Sequence, residues 1–517
     1  NGVVREMSTT DTKIVSSSTL NYNKEIFPKH TLGFLVGWEA EENKTEFQRA
    51  QGSDLPTSAL KTVATAGVLD ANAYYWGNTM LSFLSRAEYN YDDRFYFSAS
   101  FRRDGSSKLG PDARWGNFWS IAGSWRLDKE QFMKSIDFIS SLRVRASYGV
   151  NGTLPTNNYG WRSLATYGSK YMEAPGGGVS TIADANLSWE TSYTSNLALE
   201  FGILNQRITG TIEVFNRDSK DLLQDVPISR VTGFSSTLKN IGEINNKGIE
   251  IELSGDIIRN REITWTAGIN ASSIKSKVTK LYGGQNIIWW EPTGGDARTK
   301  FMYKEGESTL AIYGKEWAGV DRETGKNVWY MNNDNTTSQP TTVNGRPATF
   351  RHQDASEKIL GDIHPKLFGG FNTNFAWKGF NIGMNFTYKI GGYTYDAAGR
   401  DINEDGYYWE RIMAKDTYDN RWTPENKDAK YPMRIAIDLT DALQRGSRWM
   451  NKADYLRLKS LNIGYTIPKE IVNKLNVSNA RVFFNGQNLW TSAANKLYDP
   501  EVNEYGSRGW ETPIGKT

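Results

Sequence analysis

The 517-residue chain contains no cysteine, which excludes a disulfide framework, thiol chemistry and cysteine-based zinc sites. Only three histidines, His30, His352 and His364, are present, too few for a rich histidine metal centre. Neither sign of charge dominates: 61 basic residues against 58 acidic ones leave +3, so nothing electrostatic points to nucleic acid. No stretch approaches the roughly 20 consecutive apolar residues that a membrane-crossing helix requires. The mean hydropathy of -0.58 suits a soluble protein. It does not exclude a membrane barrel, whose strands carry a lipid-facing residue only at every second position. Aromatic residues are in excess, with 18 Trp and 26 Tyr, which fits interfacial girdles or sugar-stacking loops better than an ordinary soluble domain.

The stretch from Arg86 to Phe101 shows how these residues are used. Two alternating runs meet at the polar turn Asp92-Asp93. Beyond it Phe95, Phe97, Ala99 and Phe101 point one way, and Tyr96, Ser98, Ser100 and Arg102 the other. A sandwich hides such an apolar face; a transmembrane barrel turns it to lipid and keeps the polar face in its lumen.

Fourteen alternating segments are expected, near 13–24, 31–42, 80–91, 94–104, 116–126, 142–150, 193–204, 207–217, 247–257, 261–274, 366–377, 380–390, 454–467 and 480–491. Short turns join them on one side, at Ile26 to Lys29, Asp92-Asp93, Asn205-Gln206, Arg259-Asn260 and Lys378-Gly379. Residues 127–141 read as a short amphipathic helix, and Pro468-Lys469-Glu470 as the start of another helical turn. Long loops are expected on the other side, at about 43–79, 151–192, 218–246, 275–365, 391–453 and 492–517. Short turns on one side and long loops on the other mark an outer-membrane barrel.

The strand faces agree. Leu142, Val144, Ala146 and Tyr148 oppose Arg143, Arg145 and Ser147. Phe380, Ile382, Met384, Phe386 and Tyr388 oppose Asn381, Gly383, Asn385 and Thr387. The fold class is therefore all-β, a transmembrane antiparallel β-barrel. Fourteen strands with this side assignment imply an odd number missing at each end, since bacterial barrels start and finish on the periplasmic side. An open sheet in hydrocarbon is prohibitive, and Asn1-Gly2-Val3-Val4-Arg5 is neither a signal peptide nor a start methionine. The expectation is a piece of a longer precursor.

Several motifs carry a family likeness. Phe101-Arg102-Arg103-Asp104-Gly105-Ser106-Ser107 followed by Trp119 to Trp125 resembles the SusC/RagA family of TonB-dependent outer-membrane transporters. So do Asn240 to Leu253, Trp317-Ala318-Gly319-Val320-Asp321, Arg421-Trp422-Thr423-Pro424-Glu425-Asn426 and Asp454 to Asn488. The resemblance implies a 22-stranded barrel, of which 1–517 would supply strands 8 to 21, the C-terminal part of one barrel domain. The plug domain, the first strands and the last strand would lie outside this chain. It also implies a SusD-like surface lipoprotein as a lid. Energy would come from the TonB complex through an N-terminal region that this chain lacks. The implied location is the outer membrane of a Gram-negative bacterium, among lipid and lipopolysaccharide, with long loops extracellular.

Candidate site residues fall in the expected loops. Trp289, Trp290, Tyr407, Tyr408, Trp409, Tyr74, Tyr75 and Trp76 offer flat faces for a sugar ring, a peptide side chain or the lid. A girdle or an internal loop core uses the same residues. Asp401, Asn403, Asp405 and Gly406 spell the opening of a calcium loop, but its twelfth position is Ile412 where a bidentate glutamate is needed, and Glu410 is two places early. A solvated acidic turn is the favoured reading, with calcium the alternative; no other cofactor is expected. The histidines have no serine or acidic partner at a readable spacing, which argues against hydrolase chemistry and against an enzyme. Pro175-Gly176-Gly177-Gly178 lacks a following Lys-Ser/Thr and reads as a flexible loop. The expected function is active import of glycans or oligopeptides. A surface adhesion barrel and a passive porin are the alternatives.

Overall fold

All fourteen expected strands form, and they make one sheet in chain order. They are β1 Val3–Phe27, β2 His30–Ser53, β3 Val68–Tyr91, β4 Phe95–Ser106, β5 Trp115–Arg126, β6 Ile139–Thr153, β7 Glu190–Ile203, β8 Ile208–Pro227, β9 Ser236–Arg259, β10 Ile263–Lys280, β11 Leu367–Trp377, β12 Phe380–Ile390, β13 Tyr455–Thr466 and β14 Arg481–Ala493. The computed structural model describes residues 2–172, 174–290, 299–333, 335–403, 405–407, 413–436, 444–475, 477–494, 499–501 and 507–508. No helix among them is long and apolar enough to cross a membrane.

The apolar face is the exposed one. On β4, Phe97 is 54% exposed and Phe101 46%, while Tyr96, Ser98, Ser100 and Arg102 on the other face are half-buried. Antiparallel pairing sets Phe97 between Tyr89 and Gly123, and Ala99 between Ala87 and Ile121. Phe34, Val36, Trp38 and Phe83 extend this apolar surface across β2 and β3. A water-soluble fold of this composition would bury these rings; leaving them outward is the arrangement a lipid-embedded barrel requires.

The short turns are built as hairpins demand. Asp92 and Asp93 have φ of 54° and 51°, the left-handed pair that matches strand twist. The Arg94 N–H closes that turn on the Tyr91 carbonyl at 2.9 Å, and the Asn90 side chain accepts from the Asp93 N–H at 3.1 Å. Lys378 and Gly379 (φ 44° and 88°) repeat the geometry between β11 and β12.

Several connections differ from expectation. The 43–79 loop shrinks to 54–67, because β2 runs on to Ser53 and β3 starts at Val68. The 218–246 loop shrinks likewise, since β8 reaches Pro227 and β9 begins at Ser236. At 24 and 25 residues, β1 to β3 are far longer than the roughly 9–11 residues of a membrane crossing, so they project beyond it. Outside hydrocarbon neither face needs to be apolar, and Glu42, Lys44, Glu46 and Gln48 lose the alternation while the pairing continues. The Pro175–Gly178 run belongs to a strand, Ala174–Val179, paired with Ala165–Tyr171. The helix expected over 127–141 is instead two 3₁₀ turns, Leu127–Lys129 and Gln131–Met133. Glu130 holds the first of them against the sheet by accepting from Arg94 at 2.6 Å and from the Trp125 indole at 3.0 Å. The helical turn after Pro468 does form, as Lys469–Val472.

The chain divides into two compact units. The first comprises Asn1–Ser135, Leu142–Ala198 and Phe215–Glu243. In it the buried residues Leu109, Phe118, Val150 and Trp189 form a hydrophobic cluster, with Met80, Leu154 and Tyr193 packed around them. The second comprises Ile136–Ser141, Leu199–Val214 and Ile244–Thr517, and holds β10 to β14 with their two longest connections.

Candidate functional site

The two longest connections are folded. Between β10 and β11, strands Ile287–Trp290, Lys300–Tyr303, Ala311–Lys315 and Glu357–Asp362 form one four-stranded sheet. Trp317–Val320, Asn327–Tyr330, Arg346–Thr349 and Pro340–Val343 form a second. Phe301, Ile312 and Ile363 are the buried core at the first sheet, with Trp289, Leu310, Leu360 and Met450 packed against them. Met450 comes from the connection between β12 and β13, so the two connections share one core.

That shared body explains several expected site residues. The Trp289 ring stacks on Phe301 with centroids 4.5 Å apart and packs, partly buried, against the loop core. Trp290 pairs with Lys300 through the backbone. Tyr407 is half-buried; Tyr408 and Trp409 lie outside the described residues.

Asn403 and Asp405 of the acidic cluster are engaged within the protein. Asp401 sits on a helical turn, Ala397–Ile402, whose Asp396 caps the Gly399 N–H at 2.6 Å. Asn403 accepts from the Thr417 hydroxyl at 2.5 Å. Both carboxylate oxygens of Asp405 accept from Arg448, and the Asn327 amide adds a bond of 3.0 Å. A donor set already holding a guanidinium cation does not fit calcium, and no group of three or more acidic or histidine ligands occurs among the described residues. Arg448 also lies over Trp317 and Trp449, at 5.5 and 4.5 Å from their ring centres.

Tyr74, Tyr75 and Trp76 lie on a strand and not in a loop. Tyr74 stacks on Phe47 of β2 at 4.6 Å and on Trp76 at 5.1 Å, all three rings nearly parallel. The register continues this stack through Asn43 and Asn78, whose amides bond at 3.2 Å, to Ser82, Glu39 and Arg102. The stack is therefore on the polar face of the sheet. Tyr75, one residue along, faces the other way and is 78% exposed.

A cavity of about 240 Å³ opens in the folded connections, lined by Lys300, Lys315, His352, Glu357, Tyr395 and Arg445. The Lys315 ammonium donates to the carbonyls of His352 and Gln353, and burial pushes its pKa down. Burial likewise lowers the His352 imidazole to about 4, while its Nε2 donates to the Arg445 carbonyl at 2.8 Å. Burial raises the Tyr395 phenol to about 12. His30 meets the Tyr89 hydroxyl at 2.7 Å, and His364 meets the Thr309 hydroxyl at 3.2 Å.

One anchoring residue escaped the pattern reading. Arg457 of β13, buried on the polar face, donates to Asp499 at 2.7 Å and Glu501 at 2.9 Å, which Lys459 also reaches at 2.6 Å. The signal was there: an arginine in an otherwise well-alternating strand, and the acid pair Asp499-Pro500-Glu501 beyond β14.

The model of the TonB-dependent receptor-like β-barrel family matches residues 4–489. The chain is 28% identical to TonB-dependent receptor P3 of Formosa agariphila, over 95% of this chain and 49% of that protein. It is 26% identical to TonB-dependent receptor SusC of Bacteroides thetaiotaomicron, over 93% of this chain and 48% of SusC. Its structure is similar to that of the RagAB peptide transporter, with a TM-score of 0.83 and 26% identity, covering 99% of this chain and 55% of that one. The chain spans about half the length of the curated relatives it matches. A fourteen-stranded sheet with its apolar face outward, folded connections gathered at one end and a family match along nearly its whole length place this chain in the TonB-dependent receptor β-barrel family.

Proposed function

We propose that the chain is barrel wall from an active nutrient importer of the outer membrane. It would take up glycans or oligopeptides without altering them, using energy from the TonB complex and a SusD-like surface lipoprotein as a lid. The observation that carries this reading is the likeness to the RagAB peptide transporter along 99% of the chain. The folded connections support it: a body with its own core is far more than a linker needs, and such long insertions serve to bind or to cover something. In this reading they face the outside of the cell, and the Phe47–Tyr74–Trp76 stack stands on the lumen side above the membrane.

Purification of the full-length protein from its native outer membrane, followed by intact-mass analysis of the complex, tests the partnership. The reading expects a surface lipoprotein in about equal amount, and cargo held with it. A protein that is pure barrel without a lipoprotein, under conditions where the barrel remains heat-resistant, contradicts the lid.

A further inference from the structure

The polar face of β10 to β14 has a composition that the barrel fold does not demand. Reading across the register, one row is Thr266, Asn374, Gly383, Asn462 and Asn485; the next is Gly268, Asn372, Asn385, Ser460 and Gln487. A third runs from Thr264 through Ala376, Asn381 and Gly464 to Phe483. None of these positions carries a charge. Charge returns towards the two ends of the strands, at one with Lys389 and with Arg457 bonded to Asp499 and Glu501, at the other with Arg481 bonded to Asn381 at 3.1 Å.

The glycines make this wall flat. A Cβ on Gly383 would stand 2.9 Å from Asn374 Oδ1, one on Gly464 2.4 Å from Asn381 Oδ1, and one on Gly268 3.0 Å from Asn372 Nδ2. Each glycine is thus a slot in which the carboxamide of the neighbouring strand lies down. Asn385 lies across to the Ser460 hydroxyl at 2.7 Å, and Asn270 receives the Gly370 N–H at 2.9 Å. Asn372, Asn374, Asn385 and Asn485 remain exposed on that face. The first unit is built differently on its own polar face: Arg102 bonds Asp104, Glu39 and Ser82 there.

Charge-assisted bonds are short, strong and suited to contacts that stay made. Passage requires the opposite, sites attractive enough to enter yet weak and repeated enough to leave. A lattice of equivalent neutral donors and acceptors, level with the backbone, meets that requirement for a ligand whose own groups are neutral donors and acceptors. An anionic or cationic ligand would find no counter-charge along it. We propose that this carboxamide–glycine wall is the surface along which cargo moves through the lumen, and that the cargo is an uncharged chain rich in hydroxyl or amide groups. The inference rests on the importer reading above and specifies its path and cargo chemistry.

The absence of cysteine from this chain permits a direct test in the full-length protein on living cells, with any cysteine elsewhere replaced. Asn374→Cys and Asn462→Cys report on the wall; Ser98→Cys and Ser120→Cys report on the polar face of the first unit. Three extracellular maleimides are used: one linked to maltohexaose, one to an acetylated and amidated hexaglycine, and one to a sulfonated chain of similar length. The proposal expects the wall variants to label at least tenfold faster than the Ser98 and Ser120 variants, and a neutral probe to outrun the sulfonated one. The faster of the two neutral probes tells glycan from peptide. Equal labelling at the four positions, no labelling at Asn374→Cys and Asn462→Cys, or a sulfonated probe that keeps pace overturns the proposal. Preferential wall labelling that is unchanged when TonB is removed would uphold the path and contradict the active-import reading instead.

Discussion

Arg448 donates from both terminal nitrogens to the two carboxylate oxygens of Asp405, and both side chains are buried. Asn327, from the other long connection, bonds the same carboxylate, so the pair locks the two connections together. Removing one partner strands the other charge in a low-dielectric site, at a cost of about 3–5 kcal/mol. Arg448→Ala is therefore expected to collapse hydrogen-exchange protection in Asn327–Tyr330 while the barrel keeps its heat resistance. Arg448→Met with Asp405→Leu should recover much of the protection. Calcium should restore nothing; recovery of protection by calcium would show that the cluster is a metal loop after all.

The outward apolar face gives a second expectation. Phe97 is exposed and Ser98 half-buried on the opposite face. In the full-length protein Phe97→Arg should cost about 2–4 kcal/mol near the membrane midplane, and Ser98→Arg much less. Unfolding midpoints in bilayers measure the difference; equal midpoints would invert the face assignment.

The sequence exposed the strands wherever one face meets lipid, because hydrocarbon imposes the period of two that Phe95, Phe97, Ala99 and Phe101 display. Where β2 and β3 leave the membrane that constraint ends. Glu42 to Gln48 and Ala71 to Ala73 then resemble loop, although the backbone pairing persists. The helix read over 127–141 failed because Phe132 and Ile136 have helical spacing, whereas Glu130 fixes the backbone by its bonds to Arg94 and Trp125. For Trp289 the sequence left an internal loop core open beside a binding role, and could not name its partners, since Phe301 and Met450 are brought to it only by the fold.

Trp289 supplies the third expectation. Truncating a packed tryptophan costs about 3–5 kcal/mol. Trp289→Ala should expose Lys300–Tyr303 to exchange and leave β11 and β12 protected. Tyr167→Ala, at a residue 82% exposed, should change neither. If both variants behave alike, Trp289 is not part of a core.

His352 makes the folded connections acid-sensitive. Burial lowers its folded pKa from 6.5 to about 4, so the unfolded state binds the proton first as pH falls. Its contribution is complete above about pH 6.5 and is lost progressively towards pH 4. Local exchange protection around Lys315 and His352 should decline through that window, and His352→Gln, which preserves a donor towards the Arg445 carbonyl, should flatten the decline. A profile identical in the two proteins contradicts this assignment.

The Phe47–Tyr74–Trp76 stack should serve recognition. Tyr74→Ala with Trp76→Ala is expected to weaken cargo uptake or lid association several-fold, with barrel assembly intact, whereas Tyr75→Ala on the opposite face leaves both unchanged. The triple change of Tyr407, Tyr408 and Trp409 to alanine is the matching test on the β12–β13 connection. Survival of uptake and lid association in both sets would remove these aromatics from the recognition surface.

Active import itself is tested most directly by cargo depletion. Cells carrying the full-length protein are given a mixture of neutral oligosaccharides and oligopeptides, and mass spectrometry follows what disappears from the medium with and without TonB. The account predicts that one class of uncharged oligomer is depleted, and only when TonB is present. Depletion that proceeds equally without TonB, or no depletion of either class, would contradict it.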